Sequence, residues 1–324
     1  MKSVNFDRPG PPDVMYLKDV EIPKLKKNQI LIKVRFAGVN RPDIVQREGN
    51  YPAPHGHSPI LGLEVSGVIA ELGKDVKGFK IGENVAALVN GGGYAEYCAA
   101  DQETCFKVPS EISLKEAAGI PECFFTVWSN LVIRGKLKKN QKVLVHGGTS
   151  GIGIASIQIL NMFKAEIFTT VGNEKKMEFC KKLGVKHVFN YKKQDYHEEI
   201  KKINQNNLNL ILDYIGGDYI KKNLDLLGPE GKLVNIGFQN GAIADLNFMK
   251  VMLKRLTITG STLRVRDIEF KAKILKDLEK NVFPHLENGS IKCYIDSVYK
   301  IVDVISAHRR LQKGNHIGIV ILEL

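Results

Sequence analysis

The chemistry-bearing segment of this chain is the run Val143-Leu144-Val145-His146, which breaks into Gly147-Gly148-Thr149-Ser150-Gly151-Ile152-Gly153. Glycines let a backbone turn tightly and approach a pyrophosphate, whose charge is favoured at the N-terminus of a following helix. A helix does follow in the pattern, because Ile152, Ala155, Ile159 and Phe163 recur at helical spacing. The spacing is Gly-x-x-Gly-x-Gly rather than the commoner Gly-x-Gly-x-x-Gly, so the turn alone also fits an ordinary glycine bend. The candidate phosphate contacts are Gly148, Thr149, Ser150, Gly151 and Ile152.

The next strand decides between the two readings. Where a dinucleotide fold reads a free ribose 2′-hydroxyl, an Asp or Glu stands at the end of the second strand. Here that strand, Glu166-Ile167-Phe168-Thr169-Thr170-Val171, ends in Gly172-Asn173-Glu174-Lys175-Lys176, with the acid displaced into the expected first helical turn. Gly172 leaves room for a 2′-phosphate and Lys176 supplies a charge to it, with Asn173 between them, so the pattern predicts NADPH rather than NADH. Tyr191, after the third strand, is a candidate lining residue for the same region. Two later strand ends carry glycine edges, Ile215-Gly216-Gly217 and Gly237-Phe238. Successive edges of this kind suit an elongated dinucleotide.

Around these residues the chain changes rhythm. From Val143 onward, strands at 143–146, 166–171, 186–190, 208–213, 231–236 and 255–260 alternate with helices at 151–163, 174–183, 195–204, 217–227 and 245–253. Such βαβ alternation predicts a doubly wound parallel sheet. The first ~120 residues instead alternate short β-like runs with turns, including 30–36 and 63–72, and suggest a partly open, mostly antiparallel barrel. Residues 114–131 read as helical, interrupted by Pro121. A helix near 267–278 and a lone last strand at 318–322 suggest that the tail returns to the first domain.

Composition narrows the class. At 324 residues, 44% hydrophobic and 25% charged, the chain fits one large or two ordinary globular domains. No apolar stretch approaches the ~20 residues of a membrane helix, and the N-terminus lacks a signal-peptide layout. Five dispersed cysteines without a Cys-x-x-Cys pair argue for a reducing compartment, with cytoplasm as the expectation. The net charge of +12 is lysine scattered over polar faces, without the aromatic-interleaved groove of a nucleic-acid site.

The motifs Asn40-Arg41-Pro42-Asp43, the run from Ile60 to Gly67, Gly91-Gly92-Gly93-Tyr94-Ala95-Glu96-Tyr97 and the glycine turn carry a family resemblance. Ile120-Pro121-Glu122, Asp213-Tyr214-Ile215-Gly216-Gly217 and the run from Gly260 to Arg264 extend it over essentially the whole chain. The chain resembles the zinc-free, zeta-crystallin-like quinone oxidoreductases of the medium-chain dehydrogenase/reductase superfamily, and most the tumour-suppressor-inducible branch. That resemblance implies an α/β protein with a GroES-like β-barrel catalytic domain (1–122 and 265–324) and a six-stranded doubly wound Rossmann domain (123–264).

Zinc enzymes of the superfamily hold catalytic metal through Cys and His at the positions of Asn40 and Leu63, and neither residue replaces a thiolate or imidazole ligand. The expectation is metal-free hydride transfer from NADPH to a quinone, with an enoyl or enone reductase as the alternative and an RNA-binding or crystallin-like role as a minor one. By resemblance, Asn40 and Tyr51 face the nicotinamide and acceptor, and Ser150 lies against the phosphates or near the reactive end. Tyr51 has two readings, a proton donor to the reduced oxygen or an aromatic wall of the cleft. Thr126, Ser261, Leu263 and Asn315 take the family's further cofactor-contacting places, while Asp43 reads as a turn cap or supporting group. The resemblance also implies a homodimer through the last Rossmann strand, 256–260, which is otherwise an unprotected edge.

Overall fold

A computed structural model describes residues 1–324. Its contacts divide the chain into two units, 1–125 with 264–324 and 126–263.

The first unit is built from β1 (Lys2–Asn5), β2 (Tyr16–Asp19), β3 (Gln29–Val39), α1 (Arg41–Arg47), β4 (Glu64–Leu72), β5 (Asn84–Leu88), β6 (Tyr97–Asp101) and β7 (Cys105–Lys107). After α2 (Leu114–Ala117), α3 (Pro121–Val127) runs to the unit boundary. The strand β3 organises this unit. One edge pairs antiparallel with β4, while the other pairs with β6 through residues 29–33 and with the C-terminal strand through residues 36–39. Irregularities at Leu31/Ile32 and Val34/Phe36 bend β3, which lets one strand serve two partners. Inward residues Ile30, Ile32, Val34, Val65, Ile69 and Val85 form its core with Val320 and Leu322. Each such side chain contributes roughly 1.5–3 kcal/mol by leaving water.

The second unit is one parallel sheet. Its strands are β8 (Lys142–His146), β9 (Glu166–Val171), β10 (His187–Asn190), β11 (Leu208–Asp213), β12 (Leu227–Asn235) and β13 (Thr257–Gly260). They lie in the order β10-β9-β8-β11-β12-β13, every neighbouring pair parallel. The intervening helices are α4 (Gly151–Met162), α5 (Glu174–Lys182), α6 (Tyr196–Asn204), α7 (Asp218–Leu226) and α8 (Phe248–Lys254). Val143, Leu144 and Val145 are wholly buried, as a strand covered on both faces requires. The strand order reverses at β8, which puts the glycine turn at the crevice where such sheets bind ligands.

The chain then returns to the first unit through α9 (Ile268–Asn281), α10 (Phe283–Glu287), β14 (Ile295–Lys300), α11 (Val304–Gln312) and β15 (Ile319–Glu323). β15 pairs antiparallel with β3, so the last strand does complete the first sheet. Three expectations change in detail. The helical stretch at 114–131 is two short helices followed by a π-helical segment, Trp128–Arg134. Pro121 opens the second of these helices, where its missing N–H costs no hydrogen bond. β12 begins four residues earlier than its apolar run, and β14 and α11 have no counterpart in the sequence reading.

Candidate functional site

In the second unit the turn after β8 leads into the N-terminus of α4. Ser150 caps α4, its Oγ accepting the Gly153 N–H at 3.0 Å and donating to the Gly147 carbonyl at 3.0 Å. The N–H groups of Thr149, Gly151 and Ile152 take no hydrogen bond within the protein. They are the orphan donors that a phosphate satisfies at a helix N-terminus. A Cβ at Gly148 would overlap the Thr169 hydroxyl, and one at Gly153 would overlap the Gly147 carbonyl. The glycines are therefore fixed by close packing as well as by any ligand.

At the end of β9, Asn173 caps α5 by accepting the Lys176 N–H at 3.0 Å. Lys176 is only 8% exposed. It sits in the first turn of α5, at the positive end of the helix dipole, where charge and dipole together favour an anion. Glu174 is turned to Lys193 at 2.9 Å, which holds its carboxyl below the usual range, and so it is engaged as an ion pair. The Tyr191 hydroxyl stands 2.8 Å from where a Cβ of Gly172 would be. Its ring is 46% exposed.

The later strand ends converge on the same edge. Asp213 accepts the Ile215 and Gly216 N–H groups at 2.7 and 3.3 Å, folding the turn after β11. Gly216 and Gly217 have positive φ, and a Cβ on Gly216 would meet Phe238. A Cβ on Gly237 would lie 3.3 Å from that of Tyr214. Farther along, the Thr126 carbonyl accepts from Asn130 Nδ2 at 2.8 Å, and Ser261 Oγ donates to Asn130 Oδ1 at 2.7 Å. Leu263 is buried.

In the first unit Asn40 caps α1, but its side chain does not serve the helix. Asp43 reaches back to the Asn40 N–H at 2.8 Å, while Asn40 Nδ2 donates to Glu64 Oε1 at 2.7 Å. Glu64 is wholly buried and its other oxygen accepts the Glu122 N–H at 2.8 Å. Burial pushes the Glu64 carboxyl up to about 8, against the two hydrogen bonds that lower it. Burial likewise raises Asp43 to about 6, although Asp43 also accepts from Gly62 N–H and the Tyr94 hydroxyl. Glu122 is raised to about 7 by burial and by Asp43. Leu63 packs in the interior.

Cations balance this acidic group. Arg264 donates to the carbonyls of Asn90 and Tyr51, and its guanidinium lies 5.3 Å from the centre of the Tyr51 ring. It ties these two loops together. Lys271 Nζ donates to Asn90 Oδ1 at 2.7 Å and to the Arg264 carbonyl at 2.9 Å, and burial lowers it to about 8. Tyr51 is pushed up to about 12 by burial first and the Glu122 charge second, so its hydroxyl keeps its proton at neutral pH. Asn315 accepts from Arg310, at the C-terminal end of α11.

The structure thus gathers Gly148, Thr149, Ser150, Gly151, Ile152, Gly172, Asn173, Lys176, Tyr191, Ile215, Gly237 and Phe238 at the carboxyl edge of one sheet. Sequence reasoning passed over Glu64, Glu122, Lys271 and Tyr214. The one available signal was Glu64 standing between the apolar Leu63 and Val65 at the start of β4.

Residues 26–110 match the alcohol dehydrogenase GroES-like domain and residues 151–279 the zinc-binding dehydrogenase family. The human quinone oxidoreductase is 31% identical, over 97% of this chain and 95% of that protein. The structure of the Escherichia coli quinone oxidoreductase complexed with NADPH superposes with a TM-score of 0.89 at 25% identity, covering all of both chains. The CurK enoyl reductase superposes at 0.86 with 26% identity, over 99% of this chain and 98% of that one. The chain also matches a phenolphthiocerol/phthiocerol polyketide synthase polypeptide of Mycobacterium tuberculosis at 24% identity over 99% of its own length, but spans about 15% of the length of that protein. No helix is long and apolar enough to cross a membrane. With a GroES-like unit, a six-stranded parallel Rossmann sheet and full-length kinship to quinone oxidoreductases, the chain belongs to the medium-chain dehydrogenase/reductase superfamily of oxidoreductases.

Proposed function

We propose that the protein is an NADPH-dependent quinone reductase that works without a metal. The observation that carries the cofactor choice is the buried Lys176 in the first turn of α5, beside a strand end that bears Gly172 and no acid. The uncommitted N–H groups of Thr149, Gly151 and Ile152 fit a pyrophosphate, and Lys176 with Gly172 and Tyr191 would hold the 2′-phosphate end. The NADPH-bound relative from Escherichia coli supports the same reading. When bound, the nicotinamide supplies the hydride.

On the acceptor side, Asn40 and Tyr51 are the proposed contacts, with Asn40 held in place by Glu64. The donor set supports a metal-free reaction, since an amide committed to a carboxyl and an interior leucine stand where the zinc enzymes place ligands. A quinone needs no Lewis acid, because the arriving charge spreads onto its oxygens. Thr126, Ser261, Leu263 and Asn315 remain proposed as further cofactor contacts.

The second reading is an enone or enoyl reductase. It is favoured by the CurK likeness and by a Tyr51 hydroxyl that holds its proton for delivery to a reduced product. Parallel assays with quinones, enones and enoyl thioesters separate the two. Turnover of enoyl thioesters without quinone reduction would overturn the first reading.

A homodimer through β13 is also proposed. That strand ends the sheet, and beside it α8 exposes Phe248, Met249, Met252 and Leu253, an apolar face that a second copy would cover. Five free cysteines support a reducing, cytoplasmic setting.

A further inference from the structure

Tyr214 stands at the end of β11, and its hydroxyl reaches back into the glycine turn after β8. It lies 3.1 Å from Ser150 Oγ and 3.2 Å from the Gly147 carbonyl, so both oxygens are within reach of its one proton. Gly147 has φ +64°, and a Cβ there would overlap the phenol oxygen. Gly147 therefore leaves the space that the Tyr214 hydroxyl occupies. The ring is aimed by its own backbone: Asp213 folds the following turn, and the Tyr214 carbonyl accepts the Gln239 N–H at 3.1 Å.

Ser150 Oγ already accepts from Gly153 N–H and donates to Gly147. The remaining acceptor position on that oxygen is the one the phenol can fill, so the hydroxyl of Ser150 is fully used inside the turn. We propose that Tyr214 is a positioning residue for the cofactor: its hydroxyl braces the Gly147–Ser150 corner in the form that leaves the Thr149, Gly151 and Ile152 N–H groups available to a pyrophosphate. This rests on the cofactor reading above and adds a residue to it. Because the brace acts on the turn and not on the ribose, it serves NADPH and NADH alike. A turn that populates its receptive form less often binds with an apparent affinity reduced by that fraction.

The test is cofactor binding to the full-length protein, followed by nicotinamide fluorescence, for wild type, Tyr214→Phe, Ser150→Ala and the double variant. Loss of one hydrogen bond that orders the turn predicts about a three- to tenfold rise in Kd for Tyr214→Phe, equal for both cofactors. In the Ser150→Ala background the effect of the same substitution on Kd should shrink, since one of the two partners of the phenol is gone while the Gly147 carbonyl remains. An unchanged or tighter Kd, a loss confined to NADPH, or an undiminished effect in the Ser150→Ala background would each overturn the proposal. A wild-type protein that binds neither cofactor would instead overturn the cofactor reading itself.

Discussion

Asn40 Nδ2 donates across 2.7 Å to a carboxyl of Glu64 that has no exposure to solvent. The bond holds the Asn40 amide with its Nδ2 toward Glu64. It also explains Gly38, where any Cβ would overlap Glu64 Oε1. The Gly38→Ala variant should therefore lose about 1–3 kcal/mol of stability by overpacking, read from denaturant melts.

The pH dependence of stability follows from the same carboxyl. Glu64 is raised from 4.5 to about 8 in the folded chain, so between those values the native state holds a proton that the unfolded chain has released. Stability from this group is complete below pH 4.5 and falls as pH rises toward 8. Asp43 and Glu122, raised to about 6 and 7, act in the same direction over narrower windows. Glu64→Gln should flatten this fall, its melting temperature relative to wild type rising from about pH 5 to about pH 8. A difference that stays constant across that range would contradict the assignment.

Tyr51 separates the two acceptor classes. Tyr51→Phe keeps the ring beside Arg264 and removes the proton. Enone turnover should drop by about 10²-fold, while quinone turnover stays within about threefold, since a reduced quinone draws its protons from water. Equal losses on both acceptors would favour a binding role for the hydroxyl.

The exposed face of α8 makes a prediction about assembly. Leu253→Glu places a charge among Phe248, Met249 and Met252. Light scattering should show a dimer for the wild type and a monomer for the variant. A wild-type monomer at micromolar concentration would exclude the proposed interface.

The sheet of the second unit was legible above all at β8, which is buried on both faces and reads as the unbroken apolar run Val143-Leu144-Val145. Ser150 and Asn173 cap their helices in the fold, a role the sequence reading did not give them. By contrast, β14 mixes polar and apolar residues, and α11, which does set Val304, Ala307 and Leu311 at helical spacing, spans only Val304–Gln312 and was passed over. The Glu64–Asn40 and Tyr214–Ser150 pairs join residues 24 and 64 positions apart, and no local pattern marks either partner. Lys176 was visible as a residue, but only the fold shows that it is buried.

We propose that Lys176 and the acid-free end of β9 select NADPH. Dissociation constants of NADPH and NADH, measured on wild type and Lys176→Ala at fixed salt, test it most directly. The wild type should bind NADPH at least about tenfold more tightly than NADH, a preference lost in the variant without change for NADH. Equal affinities of the wild type for the two cofactors would contradict it.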